Sequence, residues 1–205
     1  MAELSTGPLR AEDAAALARL HRSSFPDFFL SRLGEPFLRE FYRGFEGDPS
    51  AITVVARDRS GRPVGAVVGT SEPAGFYRRL LRRRFPGLAV ASARAAVRNP
   101  RTITRLVRGA AYRGGVGDEP APEGALLSSI CTNPTVQGQG LGRRLVQEWE
   151  DAARQHGVTI AHLSTDAVDN EAVNAFYDRC GWSAEREYST REGRRMNLYT
   201  KDLRP

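Results

Sequence analysis

The sequence is poor in lysine, cysteine and histidine, and these shortages argue against a metal site and against a disulfide framework. Among 205 residues there are one lysine, Lys201, two cysteines, Cys131 and Cys180, and three histidines. The two cysteines form neither a metal-binding spacing nor a disulfide framework, and the histidines are scattered along the chain. We therefore expect no metal ion to be required.

Long hydrophobic runs are also missing. No apolar stretch approaches the roughly 18 residues of a membrane-spanning helix, and the first residues lack the apolar core of a signal peptide. The 40% of hydrophobic residues is still enough to fill a core, and 205 residues suit one domain. We expect a cytoplasmic protein in which residues 1–205 form a single domain with an insertion at about 73–117.

What the sequence does contain is a glycine-rich turn between an apolar run, Ala125 to Ile130, and a helix. The turn reads Gln137, Gly138, Gln139, Gly140, Leu141, Gly142. It is not a Walker loop, because arginines rather than Lys-Ser/Thr follow Gly142, and its glycine spacing fits a Rossmann fingerprint poorly. Glycines allow close approach to a ligand, and the first N–H groups of a helix lack partners. The turn therefore predicts a cradle for a diphosphate.

A second motif follows about thirty residues downstream. Asn170, Asn174 and Tyr177 recur at i, i+4 and i+7, so their side chains line one face of a predicted helix that ends before Gly181 and Trp182. In this order, with a strand between them, the two motifs resemble those of the GCN5-related N-acetyltransferase (GNAT) family, whose glycine turn binds acetyl-CoA. The resemblance covers most of the chain outside the insertion.

The periodicity of the remaining chain agrees with the α/β fold that this resemblance implies. Two amphipathic helices precede a hairpin, Ala51 to Arg57 and Val64 to Thr70, and a weak first strand is predicted near Leu4 to Leu9. After the insertion, strands and helices alternate before a final strand pair. The expected fold is a mixed central sheet of six to seven strands flanked by helices, with a helical basic insertion between strands 3 and 4.

The resemblance also implies a set of residues that bind acetyl-CoA. The strand before the turn should offer backbone groups of Ile130, Cys131 and Thr132 to the pantetheine arm. Asn170 of the second motif should hydrogen-bond this arm or a nearby carbonyl. The full predicted cofactor-binding set is Ile130, Cys131, Thr132, Gln137, Gly138, Gln139, Gly140, Leu141, Gly142, Arg143, Asn170, Asn174 and Tyr177.

Acetyl transfer to an amine needs a proton acceptor and a proton donor. Tyr177 is the predicted donor to the departing thiolate, since an unperturbed phenol has a pKa of about 10 and remains protonated at neutral pH. The strand before the turn lacks the glutamate that many relatives use as the base. Three alternatives remain for the proton acceptor. They are Ser129 or its neighbour Ser128 acting through an ordered water, His162, and Glu72.

The insertion carries eleven arginines and no acidic residue, so the rest of the chain is net negative although the whole has a formal charge of +6. Two or three amphipathic helices are predicted in it, broken at Pro86 and at Asn99-Pro100. A solvated cap on the sheet, a lid that binds an anionic acceptor, a patch for membrane or nucleic acid, and a dimerisation element all fit this composition.

The predicted function is acetyl-CoA-dependent N-acetylation of a small-molecule amine by direct transfer, with an amino sugar or a nucleotide-linked amino sugar as the suggested acceptor. Two alternatives stay open. One is acetylation of a protein or peptide amine, and the other is a non-catalytic module of the same fold that docks on membrane or nucleic acid.

Overall fold

The computed structural model describes residues 4–26, 29–98, 122–136, 138–190 and 193–204, with helix residues 29 and 95–98 described by their backbone alone. The described strands are β1 (Ser5–Gly7), β2 (Ala51–Arg57), β3 (Pro63–Thr70), β4 (Ala125–Thr132), β5 (Ile160–Asp166), β6 (Ser183–Ser189) and β7 (Arg195–Asp202). They form one seven-stranded sheet in the order β1-β2-β3-β4-β5-β7-β6. Only β4 and β5 pair in parallel. This mixed sheet confirms the predicted fold class, including the weak first strand.

The described helices are α1 (Asp13–Ser24), α2 (Phe29–Arg32), α3 (Glu35–Arg43), α4 (Pro73–Arg98), α5 (Leu141–Gln155) and α6 (Glu171–Arg179). Side chains of α1, α3 and α4 pack in one apolar core on one face of the sheet. Side chains of α5 and α6 pack in a second core on the other face. The short α2 was not predicted, because four residues are too few to show a helical period.

The predicted break at Pro86 is wrong, because α4 continues through this residue to Arg98. Proline removes one backbone hydrogen bond, but Pro86 itself is exposed and water can hydrate the carbonyl that is left without a partner. The helix is also held on both sides of the proline, since Leu80 and Leu88 are both buried against the core of α1 and α3. The second predicted break and the rest of the insertion lie outside the described residues.

A buried ion pair fastens the start of α1 to β2. Asp13 is 2% exposed and Arg57 is 5% exposed. The Arg57 guanidinium donates to both carboxylate oxygens of Asp13 and, at 2.9 Å, to the carbonyl of Pro8. Because removing one partner leaves a buried charge, such a pair costs about 3–5 kcal/mol to break.

The sheet is irregular at the centre of β4. Val68 of β3 pairs with Ser129, whereas the next residue, Gly69, pairs with Leu127, so Ser128 is the extra residue of a β-bulge. Gly69 allows a close approach here, since a Cβ atom on it would lie 2.6 Å from the ring of Trp149 and 2.3 Å from a backbone oxygen of β4. No helix within the described residues is long and apolar enough to cross a membrane.

Candidate active site

The glycine turn leads directly into α5. Gly138 and Gly140 both have a φ of +77°, and Gly140 is the N-cap residue of α5. Among the described residues, apart from the adjacent ones in the chain, no heavy atom lies within 4 Å of the position that a Cβ would take on either glycine. Within the described part of the chain, no group accepts a hydrogen bond from the N–H of Gly142 or Arg143, the second and third residues of α5. The turn therefore combines unpaired donors, the positive end of a helix dipole and open space, which together suit a diphosphate.

The two arginines after the turn differ in their surroundings. Arg144 forms an ion pair with Glu148 at 2.7 Å, one helical turn further on. Arg143 is exposed and has no ion pair with a described residue. Arg143 is therefore the better placed of the two to attract an anion. Gln139 is exposed and Leu141 is buried in the core, while Gln137 lies outside the described residues.

The strands β4 and β5 separate beside this turn. They pair only at Ala125 with Ala161 and at Leu126 with His162. From Ser128 to Thr132 the edge of β4 that faces β5 has no strand partner among the described residues, although the other edge still pairs with β3. This gap exposes backbone groups on the predicted segment of Ile130, Cys131 and Thr132. It is open to an extended ligand arm that would bind as a strand does.

The bulge turns two neighbouring serines toward the helices on the same face of the sheet. The Ser128 hydroxyl lies 3.0 Å from the hydroxyl of Tyr77 on α4. The Ser129 hydroxyl lies 3.5 Å from Nδ1 of His21 on α1. Alternation along a regular strand would have placed these serines on opposite faces. Tyr77 and His21 were not predicted as site residues, and no local sequence signal marks them.

His21 belongs to a buried polar cluster behind Ser129. Its Nδ1 lies 2.9 Å from the Tyr42 hydroxyl, which in turn lies 3.8 Å from the sulfur of Cys131. Burial lowers the pKa of His21 to about 4, so the imidazole is neutral at neutral pH. Burial raises the pKa of Cys131 to about 11, so this residue stays a thiol and is poorly suited to accept an acyl group.

His162 lies on β5 at the last position that pairs with β4. It is 1% exposed, and no side chain of a described residue hydrogen-bonds to its ring nitrogens. Burial lowers the pKa of His162 to about 4, with a smaller opposing effect of the Glu123 backbone. Glu72, the third alternative, is 60% exposed at its side chain and forms an ion pair with Arg79 at 2.8 Å.

Tyr177 is the single buried residue of α6, all of whose residues are described. Its ring contacts those of Phe176, Trp182 and Tyr199, with centroids 5.1 to 6.1 Å apart. Burial, and less strongly the neighbouring Cys180, raises the pKa of Tyr177, so the phenol stays protonated at neutral pH. No described residue hydrogen-bonds to its hydroxyl. The group is a proton donor without a partner in the described part of the protein.

The two asparagines of the second motif bind the end of β5. Nδ2 of Asn170 donates to the carbonyl of Asp166 at 3.1 Å, and Nδ2 of Asn174 donates to the same carbonyl at 3.2 Å. The Asn174 oxygen also accepts a hydrogen bond from Thr165 at 2.6 Å. Both side chains therefore fix the end of β5 on the far side of the gap.

The described arginines of the insertion are partly compensated by acidic residues from outside it. Arg79 forms ion pairs with Asp48 and Glu72, both at 2.8 Å. Arg83 lies 3.5 Å from Asp48, and Arg84 lies 3.9 Å from Glu40. The charges of Arg79, Arg83 and Arg84 are therefore balanced by acidic residues outside the insertion, because α4 packs against α3 and the loop that carries Asp48. The exposed Arg78 and Arg82 have no such ion pair with a described residue.

Within the described residues no cluster of three histidine, cysteine or acidic side chains could hold a metal ion. A glycine turn at a helix N-terminus, a gap between two strands and a buried tyrosine are together the features of an acyl-CoA N-acyltransferase. The family model described as Acetyltransferase (GNAT) family matches residues 14–182. The chain belongs to this family.

Solved structures are similar in fold. A Desulfovibrio desulfuricans protein assigned to the GNAT family has a TM-score of 0.65 and 16% identity, over 98% of this chain and 100% of that chain. The ribosomal-protein-S18-alanine N-acetyltransferase of Escherichia coli has a TM-score of 0.58 and 14% identity, over 99% and 96%. The yncA protein of Salmonella typhimurium, solved with acetyl-CoA, has a TM-score of 0.59 and 12% identity, over 99% and 95%. No curated protein matches the chain by sequence.

Proposed function

We propose that this protein transfers an acetyl group from acetyl-CoA directly to the primary amine of a small molecule. The observation that carries the proposal is the gap between β4 and β5, which opens after the pair Leu126 and His162. A glycine turn with unpaired N–H groups follows β4, and the buried Tyr177 lies on the helix that follows β5. A thioester in this gap would meet a diphosphate site and a proton donor.

The residues present fit acetyl-CoA. The N–H groups at the start of α5 would bind the diphosphate, and Arg143 would add positive charge. Because no described residue beyond the chain neighbours has an atom within 4 Å of a Cβ on Gly138 or Gly140, the ligand would be able to approach the backbone there. The free edge of β4 at Ile130 to Thr132 would hydrogen-bond the pantetheine arm. The fold is shared with a protein whose structure contains acetyl-CoA as its cofactor.

Direct transfer is favoured over a covalent enzyme intermediate. The amine nitrogen attacks the thioester carbonyl, the carbon–sulfur bond then breaks, and the Tyr177 hydroxyl gives its proton to the departing sulfur. Cys131 is 3% exposed and its pKa is raised to about 11, so it supplies little thiolate for an acyl-cysteine route.

We assign removal of the amine proton to Ser129, which lies on the β4 side of the gap. The Ser129 hydroxyl lies 3.5 Å from Nδ1 of the neutral His21, so it would orient the amine or a water that carries the proton away. His162 is retained as the alternative acceptor, since its neutral ring lies where the gap begins. Glu72 is less suited, because its carboxylate is already engaged in an ion pair with Arg79 at 2.8 Å.

A small acceptor is favoured by the position of α4. Tyr77 at the start of this helix reaches the bulge of β4 and contacts Ser128, so α4 covers one side of β4 rather than leaving an open groove. The exposed Arg78 and Arg82 on the same helix favour an anionic acceptor, for which a nucleotide-linked amino sugar is the suggested class. The rival is a protein amine, the kind of acceptor named for the Escherichia coli relative.

The test is release of free thiol from acetyl-CoA in the presence of a panel of amines. The panel contains free amino sugars, nucleotide-linked amino sugars, polyamines and peptides with a free N-terminus. The proposal expects thiol release with at least one small amine and the highest kcat/KM with an anionic one. Release with peptides alone would support the rival, and no release with any amine would refute the proposed activity.

A further inference from the structure

A buried ionic network connects α5, β7 and the segment after α6. Glu150 of α5 is 3% exposed, and both of its carboxylate oxygens accept hydrogen bonds from Nζ of Lys201, at 2.8 and 2.7 Å. The Lys201 ammonium also donates to the carbonyl of Cys180 at 2.7 Å. Nε1 of Trp182 donates to Oε1 of Glu150 at 2.9 Å. The one lysine of the chain therefore directs all three of its N–H donors to acceptors of the protein.

This network reaches Tyr177 through Trp182. The backbone N–H of Trp182 donates to the carbonyl of Tyr177 at 3.1 Å. The two rings meet edge to face, with centroids 6.1 Å apart and an interplanar angle of 68°. Tyr177 is the one buried side chain of α6.

Stability alone is a weak reason for such a network. Replacing a buried ion pair by apolar side chains of similar volume is often neutral or stabilising. Buried charged groups instead restrict a side chain to one geometry, since any other arrangement leaves a charge or a donor without a partner. Trp182 is restricted in this way, because a shift of its indole would break the bond to Glu150.

We propose that Glu150 is a positioning residue, which holds Trp182 and thereby fixes the Tyr177 ring for proton transfer to the departing sulfur. The inference rests on the proposed function, because it gives Tyr177 the role of donor. Misplacement of a reacting group by about 1 Å costs on the order of a hundredfold in rate.

Two double variants separate positioning from stability. E150L/K201M removes both charges and the acceptor of the Trp182 N–H. E150Q/K201M also removes both charges but keeps a side-chain oxygen at that place. We expect kcat with the best amine of the panel to fall roughly ten- to a hundred-fold in E150L/K201M, at unchanged CoA affinity, and to be restored in E150Q/K201M. Unfolding in urea checks that both remain folded.

The Tyr177→Phe background shows whether the effect passes through Tyr177. If it does, E150L/K201M lowers kcat in the wild type and adds nothing in Tyr177→Phe. The same loss in both backgrounds, or no loss in the folded wild-type background, would overturn the positioning role. A Tyr177→Phe variant with full kcat would instead refute the proposed donor, so the two failures are distinguishable.

A readout without substrate completes the test. In fluorine NMR spectra of protein labelled with fluorotyrosine, the resonance missing from Tyr177→Phe identifies this ring. It should shift or broaden in E150L/K201M and keep its wild-type position in E150Q/K201M. An unchanged resonance in E150L/K201M would contradict the inference even if no acceptor had been found.

Discussion

Gly140→Ala tests whether the glycine turn binds the diphosphate of CoA. The backbone at Gly140 has a φ of +77°, where a residue with a Cβ is strained by about 1–2 kcal/mol. The added methyl group meets no atom of a described residue within 4 Å, apart from its chain neighbours, so folding should suffer little beyond this strain. A methyl group in the open space would hold the diphosphate away from the N–H groups of α5.

The expected loss of affinity follows from those hydrogen bonds. A hydrogen bond to a charged group contributes about 1.5–3 kcal/mol, and each 1.4 kcal/mol is roughly a factor of ten in Kd. Loss of one such bond therefore predicts a Kd for CoA that is roughly 10- to 100-fold higher in Gly140→Ala. Isothermal titration calorimetry measures this change directly.

Gly61→Ala is a matched control for the backbone strain. Gly61 lies between β2 and β3, also has a φ of +77°, and in the described part of the protein has no atom within 4 Å of its Cβ position apart from its chain neighbours. Both variants should lose a similar free energy of unfolding, but Gly61→Ala should bind CoA as the wild type does. If folded Gly140→Ala and Gly61→Ala bind CoA equally well, the turn is not the diphosphate site.

Four further predictions concern catalysis, acceptor binding and stability. Tyr177→Phe should lower kcat roughly ten- to a thousand-fold at unchanged CoA affinity, since only the proton donor is lost, and full turnover with chemistry rate-limiting would refute this role. Arg82→Glu should raise the KM for an anionic acceptor and leave CoA binding unchanged, whereas normal kinetics with reduced binding to anionic vesicles or nucleic acid would assign the insertion to docking. Asp13→Ala should lower the free energy of unfolding, measured by urea denaturation, by about 3–5 kcal/mol, because it leaves Arg57 as a buried charge without a partner. A loss below about 1 kcal/mol would contradict this reasoning. Stability should fall as the pH drops from about 6.5 toward 4, because His21 and His162 have folded-state pKa values of about 4 and the unfolded chain binds these protons more readily. His162→Gln should lose less stability over this interval, and an equal loss would argue against a neutral buried ring.

Local patterns were sufficient to predict most of the fold. The helix with Asn170 and Tyr177 has a helical period, and the strands on either side of Gly61 are joined by turn residues, so both could be predicted from neighbouring residues alone. The glycine turn before α5 was equally visible, because Gly138 and Gly140 occupy conformations that other residues rarely adopt.

Features that depend on tertiary contacts could not be predicted in this way. The helix through Pro86 is held by side chains that become buried only when α4 packs against α3. The bulge at Ser128 cannot be predicted from the hydrophobic pattern, because Ser128 and Ser129 are both polar and the pattern is the same whichever face they lie on. Tyr77 reaches this bulge from 51 residues away, and Lys201 reaches Glu150 over the same separation. Such pairs are fixed by the register of the folded sheet, which the local sequence does not encode.

Acetyl-CoA labelled in the acetyl group, incubated with the protein and the best amine of the panel, tests whether the acetyl group passes directly to the amine. Direct transfer predicts that the label appears in the amide of the acceptor, with one free thiol released for each amide formed and no label on the protein. Label attached to the protein before the amine is added would contradict direct transfer, and label that stays on CoA with every amine would contradict the activity itself.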